Sequence, residues 1–146
     1  MKNLNISKGY YEVQLSEDAP TWLINLSDDA ISATYEQVKN AVEKAQKLAD
    51  AENIAETKEE LKEAINETVK FQKRIICAIV GGHAYHELLD YLSPNDTPVD
   101  PFDYKVKIGD VMAALLVVFV TEIHGEHTQR LTNLMNQPKK KRPRKK

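Results

Sequence analysis

Residues 10–26 read YYEVQLSEDAPTWLINL, and this stretch distinguishes a mixed fold from an all-helical one. Apolar side chains recur at every second position in residues 10–15 and again in residues 21–26, which is typical of half-buried β-strands. The apolar positions are Tyr11, Val13, Leu15, Trp22, Ile24 and Leu26. The polar link SEDAP between the two segments suits a hairpin. Because a lone hairpin is only marginally stable in water, its apolar face must be covered by helices.

The remaining chain carries four helical patterns. Ser27, followed by two aspartates, predicts the start of a first helix that runs to about Asp50. Thr57 with Glu60 forms a capping box, and it predicts a second long helix that ends at the Gly81-Gly82 pair. A short helix is predicted over residues 84–92 and a third long one from Ile108 to about residue 135.

Two segments near the end of the body need separate comment. Residues 115–120 are apolar throughout and by composition would suit a strand, but the helical spacing on both sides favours a helix. Residues 93–102 read SPNDTPVDPF and predict a surface loop or internal hinge. The predicted fold class is α+β, with an N-terminal β-hairpin packed on a mainly helical domain of three long helices and one short helix. This single domain spans residues 1–137, and a disordered basic tail spans residues 138–146.

The charge of the chain is divided between the body and the tail. The formal net charge is −2, from 20 basic and 22 acidic residues in 146. Seven of the basic residues lie in the last eight positions, which leaves a body of net charge −9. These seven are Lys139, Lys140, Lys141, Arg142, Arg144, Lys145 and Lys146. Two parts of opposite charge predict different binding partners.

The basic tail has three competing uses. It could bind the phosphate backbone of a nucleic acid, although without interleaved aromatic residues such binding would be unspecific. In a eukaryotic cell the same run would look like a nuclear import signal. It could also hold an acidic protein partner, and the alternative to all three is a tail that only aids solubility.

Few residues suggest a chemical site. His83 and His86 form one H-x-x-H pair, and His124 and His127 form another, so a four-histidine zinc site would require the two pairs to meet. Ordinary interfacial or solvated histidines are the simpler interpretation, since no zinc-enzyme signature accompanies them. Cys77, within RIICAIV, is predicted to be a core residue. With no catalytic motif present, we expect neither an enzyme nor a bound metal or cofactor.

Several broad classes of protein are disfavoured. The longest apolar run has ten residues, 111–120, whereas a membrane-spanning helix needs about 20. The N-terminal residues lack the pattern of a signal peptide, and the single cysteine allows no internal disulfide, so a cytoplasmic location is expected. Residues 28–67 contain eleven acidic residues against five lysines. That excess could favour cations or mimic a nucleic acid, but a solvated helix face explains it more simply.

The order of these features resembles the small tail assembly chaperones of long-tailed phages that infect Gram-positive bacteria. The resemblance is carried by the strand pair YYEVQL and TWLINL, the acidic helical body, the segment KIGDVMAALLVVFV and the terminal Lys/Arg run. The PNDTPVDP loop and the lysine-rich tail depart from the family. The resemblance implies a non-catalytic protein of the host cytoplasm that binds the tape measure protein, and possibly the tail tube protein, during assembly.

Such a chaperone would mask apolar helix faces of its partner by means of its own amphipathic helices. The residues expected to form this partner-binding surface are Leu88, Leu89, Leu92, Leu131, Leu134 and Met135. Each of them could equally be a core residue. Two other functional classes remain as alternatives. One is a nucleic-acid-associated accessory protein, which the basic tail alone predicts, and the other is an enzyme built around the histidine pairs.

Overall fold

The structure is a computed structural model that describes residues 9–95 and 97–141. The first elements of the described part are two strands, β1 (Tyr10–Gln14) and β2 (Thr21–Asn25), which form an antiparallel hairpin. Val13 pairs with Trp22, and Tyr11 pairs with Ile24, so the apolar residues of both strands share one face. This register confirms the hairpin that the alternating pattern predicts.

Helices account for most of the remaining described residues. They are α1 (Asp28–Val38), α2 (Ala41–Ile54), α3 (Lys58–Val80), α4 (Gly82–Tyr91), α5 (Lys105–Val117), a π-helical segment (Val118–His124) and α6 (Gly125–Lys141). A two-stranded hairpin on a mainly helical body is an α+β fold, as predicted.

The first predicted helix is in fact two helices, and this part of the prediction is wrong. α1 ends at Val38, and Asn40 lies outside helical geometry, with φ of −106° and ψ of 18°. A single helix with an unbroken apolar stripe would bury Val42, which the structure leaves 80% exposed, while its neighbour Ala41 is buried. The buried residues of α2 are Ala41 and Leu48, and the helix packs along α3.

Side-chain caps mark the starts of α1 and α3 as predicted. The Ser27 hydroxyl accepts a hydrogen bond from the Ala30 amide, and the Thr57 hydroxyl accepts one from the Glu60 amide. The Glu60 carboxylate completes the capping box one residue early, because it accepts from the Glu56 amide at 2.8 Å. At the other end of α3, Gly81 has a φ of 98°, which L-residues rarely adopt, and α4 follows directly.

Residues 105–141 form one long helical rod. The helix prediction is confirmed and the strand alternative is excluded, although the rod contains a π-helical segment that the sequence did not reveal. At the end of this segment the Gly125 amide donates to the Val120 carbonyl, five residues back. The described part of α6 includes Lys139–Lys141, and Arg142–Lys146 lie outside the described residues, so the disordered tail stays a prediction.

The core lies where the hairpin, α1, α3, α4 and the rod meet. Trp22, Ile76 and Phe119 are almost completely buried in it, and each such side chain contributes about 1.5–3 kcal/mol. The Trp22 indole donates to the Glu87 carboxylate on α4 at 2.8 Å, which fastens the hairpin to the helices. The loop before α5 is also attached, because Val99 is buried.

Candidate partner-binding surfaces

Helix α6 projects from the body of the protein. Among the α6 side chains whose burial the structure describes, His127 is the last buried one, and every residue from position 128 to 136 is exposed. A helix without tertiary contacts is only marginally stable in water. Few contacts with the body therefore stabilise the helical conformation of this projecting part.

One side of the projecting helix is apolar. Leu131, Leu134 and Met135 follow the i, i+3, i+4 spacing of a single helix face, and they are 46%, 62% and 65% exposed. We call these three residues the α6 stripe. The structure therefore places this half of the predicted partner-binding set on an accessible surface.

The other half of the predicted set is not accessible, and its assignment to a surface is corrected here. Leu88 and Leu89 are buried in the core at 0% and 8% exposure, and Leu92 is partly buried against the same core. Leu88 and Leu89 lie on the side of α4 that faces the body, since α4 packs against α3, and Leu92 follows directly at the C-cap of the helix. They are therefore core residues that hold α4 in place.

Aromatic and polar contacts hold the base of α6 in position. The His124 ring stacks on the Tyr35 ring of α1 with centroids 3.7 Å apart, and His127 Nδ1 lies 3.4 Å from Asp28 Oδ1. Burial, and then the neighbouring His127, lower the pKa of His124.

The Tyr11 hydroxyl donates to Glu122 at 2.7 Å, which ties the hairpin to the rod. Burial and this hydrogen bond raise the pKa of Tyr11 to about 12.

The two histidine pairs do not form a common site. His83 and His86 are exposed on α4, whereas the rings of His124 and His127 are engaged by Tyr35 and Asp28. Within residues 9–95 and 97–141, no three His, Cys, Asp or Glu residues are grouped so that they could hold a metal ion.

Cys77 packs partly buried against the core, as predicted. Burial raises the pKa of its thiol, an effect that Lys73 partly offsets. A raised pKa disfavours the reactive thiolate, so this cysteine has the properties of a packing residue.

A groove with acidic edges lies between the end of α2 and the start of α3. It has a volume of about 460 Å³. Its lining residues, which we call the acidic groove, are Ala51, Ile54, Ala55, Glu56, Glu60, Glu63, Ala64 and Glu67. Ile54 is 75% exposed. The sequence showed the excess of acidic residues here, but the groove arises only because α2 and α3 pack side by side.

A second cleft, of about 260 Å³, lies where α2, α3 and α5 meet. Lys105 on α5 forms an ion pair with Glu52 on α2 at 2.5 Å, and Thr68 donates to the same carboxylate. The Gln72 amide donates to the Lys105 carbonyl at 3.1 Å, but its buried Oε1 has no hydrogen-bond partner. These contacts fix the start of α5 against α2 and α3.

Comparisons with protein-family models, with curated proteins and with solved structures gave no match. None of the helices in the described part of the chain has the length and apolar character needed to cross a membrane.

Proposed function

We propose that the protein is a non-catalytic chaperone of tail assembly in long-tailed phages that infect Gram-positive bacteria. In this proposal it binds the tape measure protein in the host cytoplasm and keeps it from aggregating before the tail tube forms. The observation that carries the proposal is the α6 stripe, an exposed apolar face on a helix that projects from the body. The order of elements along the chain, which resembles that family, supplies the identity of the partner.

The physical argument rests on matched surfaces. A long helical partner exposes apolar faces that would otherwise associate with one another, and an amphipathic helix can cover such a face. Leu131, Leu134 and Met135 present flexible or branched aliphatic groups that adapt to different partner helices. Packing α6 against a partner would also stabilise a helix that has few contacts with its own body.

The gene neighbourhood provides the first test. We expect a tail tube gene upstream of this one and a very long tape measure gene downstream. Unrelated neighbours would refute the proposal.

Co-expression provides the biochemical test. The tape measure protein is expressed alone, with the wild-type chain, and with the double variant Leu134→Ser/Met135→Ser, and its soluble fraction is measured. We expect the wild type to raise that fraction and the variant to fail. Each lost apolar contact removes about 1.5–3 kcal/mol, so affinity should fall at least roughly tenfold.

The matched control is Val117→Ser, which removes another exposed apolar side chain, 61% exposed, from the same rod. It should behave as the wild type does. Equal loss in both variants, or no loss in the double variant, would contradict binding through the α6 stripe.

A nucleic-acid-associated function is the second candidate, and the basic run at residues 139–146 is the observation that favours it. In that case deletion of residues 139–146 should weaken binding to DNA or RNA and reduce its dependence on salt, because fewer phosphates are neutralised. Binding of the tape measure protein should survive the same deletion, since it depends on apolar contacts.

A further inference from the structure

We propose that α6 of one copy of this protein docks in the acidic groove of a second copy, so that the chain associates with itself through two different surfaces. The groove and the α6 stripe are both exposed in the described structure. The groove is apolar with acidic edges, and α6 is an apolar helix followed by basic residues.

The groove has the shape and surface to receive a helix. Ala51, Ala55 and Ala64 line it with small side chains that allow a close approach, and Ile54 adds an apolar side chain that is 75% exposed. The remaining lining residues are four glutamates, three of which follow one another along a single face of α3 at positions 60, 63 and 67. An apolar floor with acidic edges fits an amphipathic helix that carries positive charge.

Helix α6 matches this description. Its stripe of Leu131, Leu134 and Met135 supplies the apolar face, and the sequence that follows supplies seven Lys or Arg residues in its last eight positions. In the docked pair, the apolar stripe of α6 therefore contacts the apolar floor of the groove, and the basic residues after the stripe lie near the glutamates at its edges. Charge complementarity of this kind steers encounter and fixes the direction of docking.

The reach of the chain requires the groove and the helix to come from different molecules. α5 starts beside Gln72 of α3, whereas His124 stacks on Tyr35, whose neighbour Thr34 donates to the Ala78 carbonyl of α3. The rod thus runs along α3 in the direction away from the groove. From Lys105 to Lys141 it extends by roughly 50 Å at about 1.5 Å per residue. The five residues after Lys141 span at most about 17 Å, too little to return to the groove of the same copy.

The same geometry allows each of two copies to fill the groove of the other with its α6. The groove lies towards one end of the molecule and α6 projects from the other, so an antiparallel pair places each α6 at the groove of its neighbour. The contact between α6 and the acidic groove then forms twice, once in each direction, and the assembly closes as a dimer.

Self-association would compete with partner binding, a consequence that rests on the function proposed above. The α6 stripe cannot contact the groove and the tape measure protein at once. The dimer would therefore keep the apolar stripe covered until a partner with a better apolar match displaces it.

The test is the mass of the purified full-length chain in solution, measured by light scattering or sedimentation. We expect the wild type to be a dimer at low salt and to dissociate as salt is added, because part of the contact is electrostatic. Glu63→Lys places a positive charge in the groove and should weaken the dimer roughly tenfold or more. Glu59→Lys, which makes the same charge change on α3 outside the groove lining, is the matched control and should stay dimeric.

A mixing experiment separates this contact from a simple pairing of two α6 helices. Leu134→Ser retains an intact groove, and Glu63→Lys retains an intact α6, so each variant alone should be monomeric while the mixture forms heterodimers. Pairing of α6 with α6 would instead leave Glu63→Lys dimeric on its own.

The proposal would be overturned by a monomeric wild type at low salt, by a dimer that Glu63→Lys leaves intact, or by a mixture that stays monomeric. None of these results depends on the tape measure protein. A wild-type dimer without any effect on tape measure solubility would contradict the proposed function and leave the self-association supported.

Discussion

At the level of single residues, His124 shows how a polar side chain can serve as part of the fold. Its ring lies flat on Tyr35 and within 6.4 Å of the Phe119 ring, a position that favours the neutral form. The lowered pKa follows from burial first and from His127 second. The spacing of the histidines suggested a zinc site, whereas the structure uses this one to join α1 to the rod.

This environment predicts a dependence of stability on pH. The unfolded His124 binds a proton near its ordinary pKa of 6.5, while the folded protein resists protonation, so its contribution to stability is lost as the pH falls below that value. His124→Phe keeps an aromatic ring against Tyr35 and cannot titrate. We expect it to reduce the loss in urea midpoint between about pH 7.5 and about pH 5.5. His86→Phe, at an exposed position, is the control, and an equal effect of both changes would contradict the assignment.

Gln72 is a second residue whose role depends on its surroundings. Its buried Oε1 lacks a partner, and a Cβ placed at Gly109 would lie 3.0 Å from its Nε2, so the amide fills the space that glycine leaves. Buried polar atoms without partners lower the free energy of unfolding.

The prediction is that Gln72→Met is as stable as the wild type or more stable, by up to about 1 kcal/mol. The Lys105 carbonyl that loses its amide donor lies in the first turn of α5, where carbonyls accept helical hydrogen bonds in any case. Gln72→Ala should instead lose about 2 kcal/mol, because it leaves a cavity. Urea unfolding of the three proteins measures this, and a strongly destabilised Gln72→Met would show that the amide hydrogen bond matters more than the unpaired oxygen.

At the level of elements, the sequence identified helix starts better than helix breaks. Ser27 and Thr57 act as caps because a side-chain oxygen next to free amides is a local interaction that needs no tertiary partner. The break at Asn40 has no such local signal. The break goes together with the packing of α2 on α3. That contact joins residues far apart in the chain, so the apolar spacing within residues 27–50 could not predict it.

The cap of α3 can be tested directly. Thr57→Ala removes the acceptor for the Glu60 amide and should lower the free energy of unfolding by about 1 kcal/mol. Thr57→Asn supplies another acceptor and should recover most of that loss. Thermal unfolding of the three proteins is the measurement, and an unchanged Thr57→Ala would mean that packing alone determines where α3 begins.

At the level of the whole molecule, the body and the projecting α6 have separate tasks. The single tryptophan, Trp22, is 1% exposed in the core, and it reports on the folding of the body alone. Exposed residues 128–136 contribute little to that core. Partner contacts can therefore vary on α6 without disturbing the fold.

We expect a chain truncated after Thr128 to fold and to unfold within a few degrees of the full-length protein, as followed by Trp22 fluorescence. The truncated chain should have lost both self-association and the effect on tape measure solubility. A large loss of thermal stability would show that α6 supports the body, contrary to its exposure.

The sequence by itself determined the α+β class, the N-terminal hairpin, the capped starts of α1 and α3 and the helical nature of residues 108–135. These features depend on periodicity and on contacts between residues close in the chain. Only the tertiary structure decided that Leu88 and Leu89 are core residues while Leu131, Leu134 and Met135 are exposed, because an apolar helix face is the same in sequence whether or not another element covers it. The acidic groove, too, exists only where two helices lie side by side.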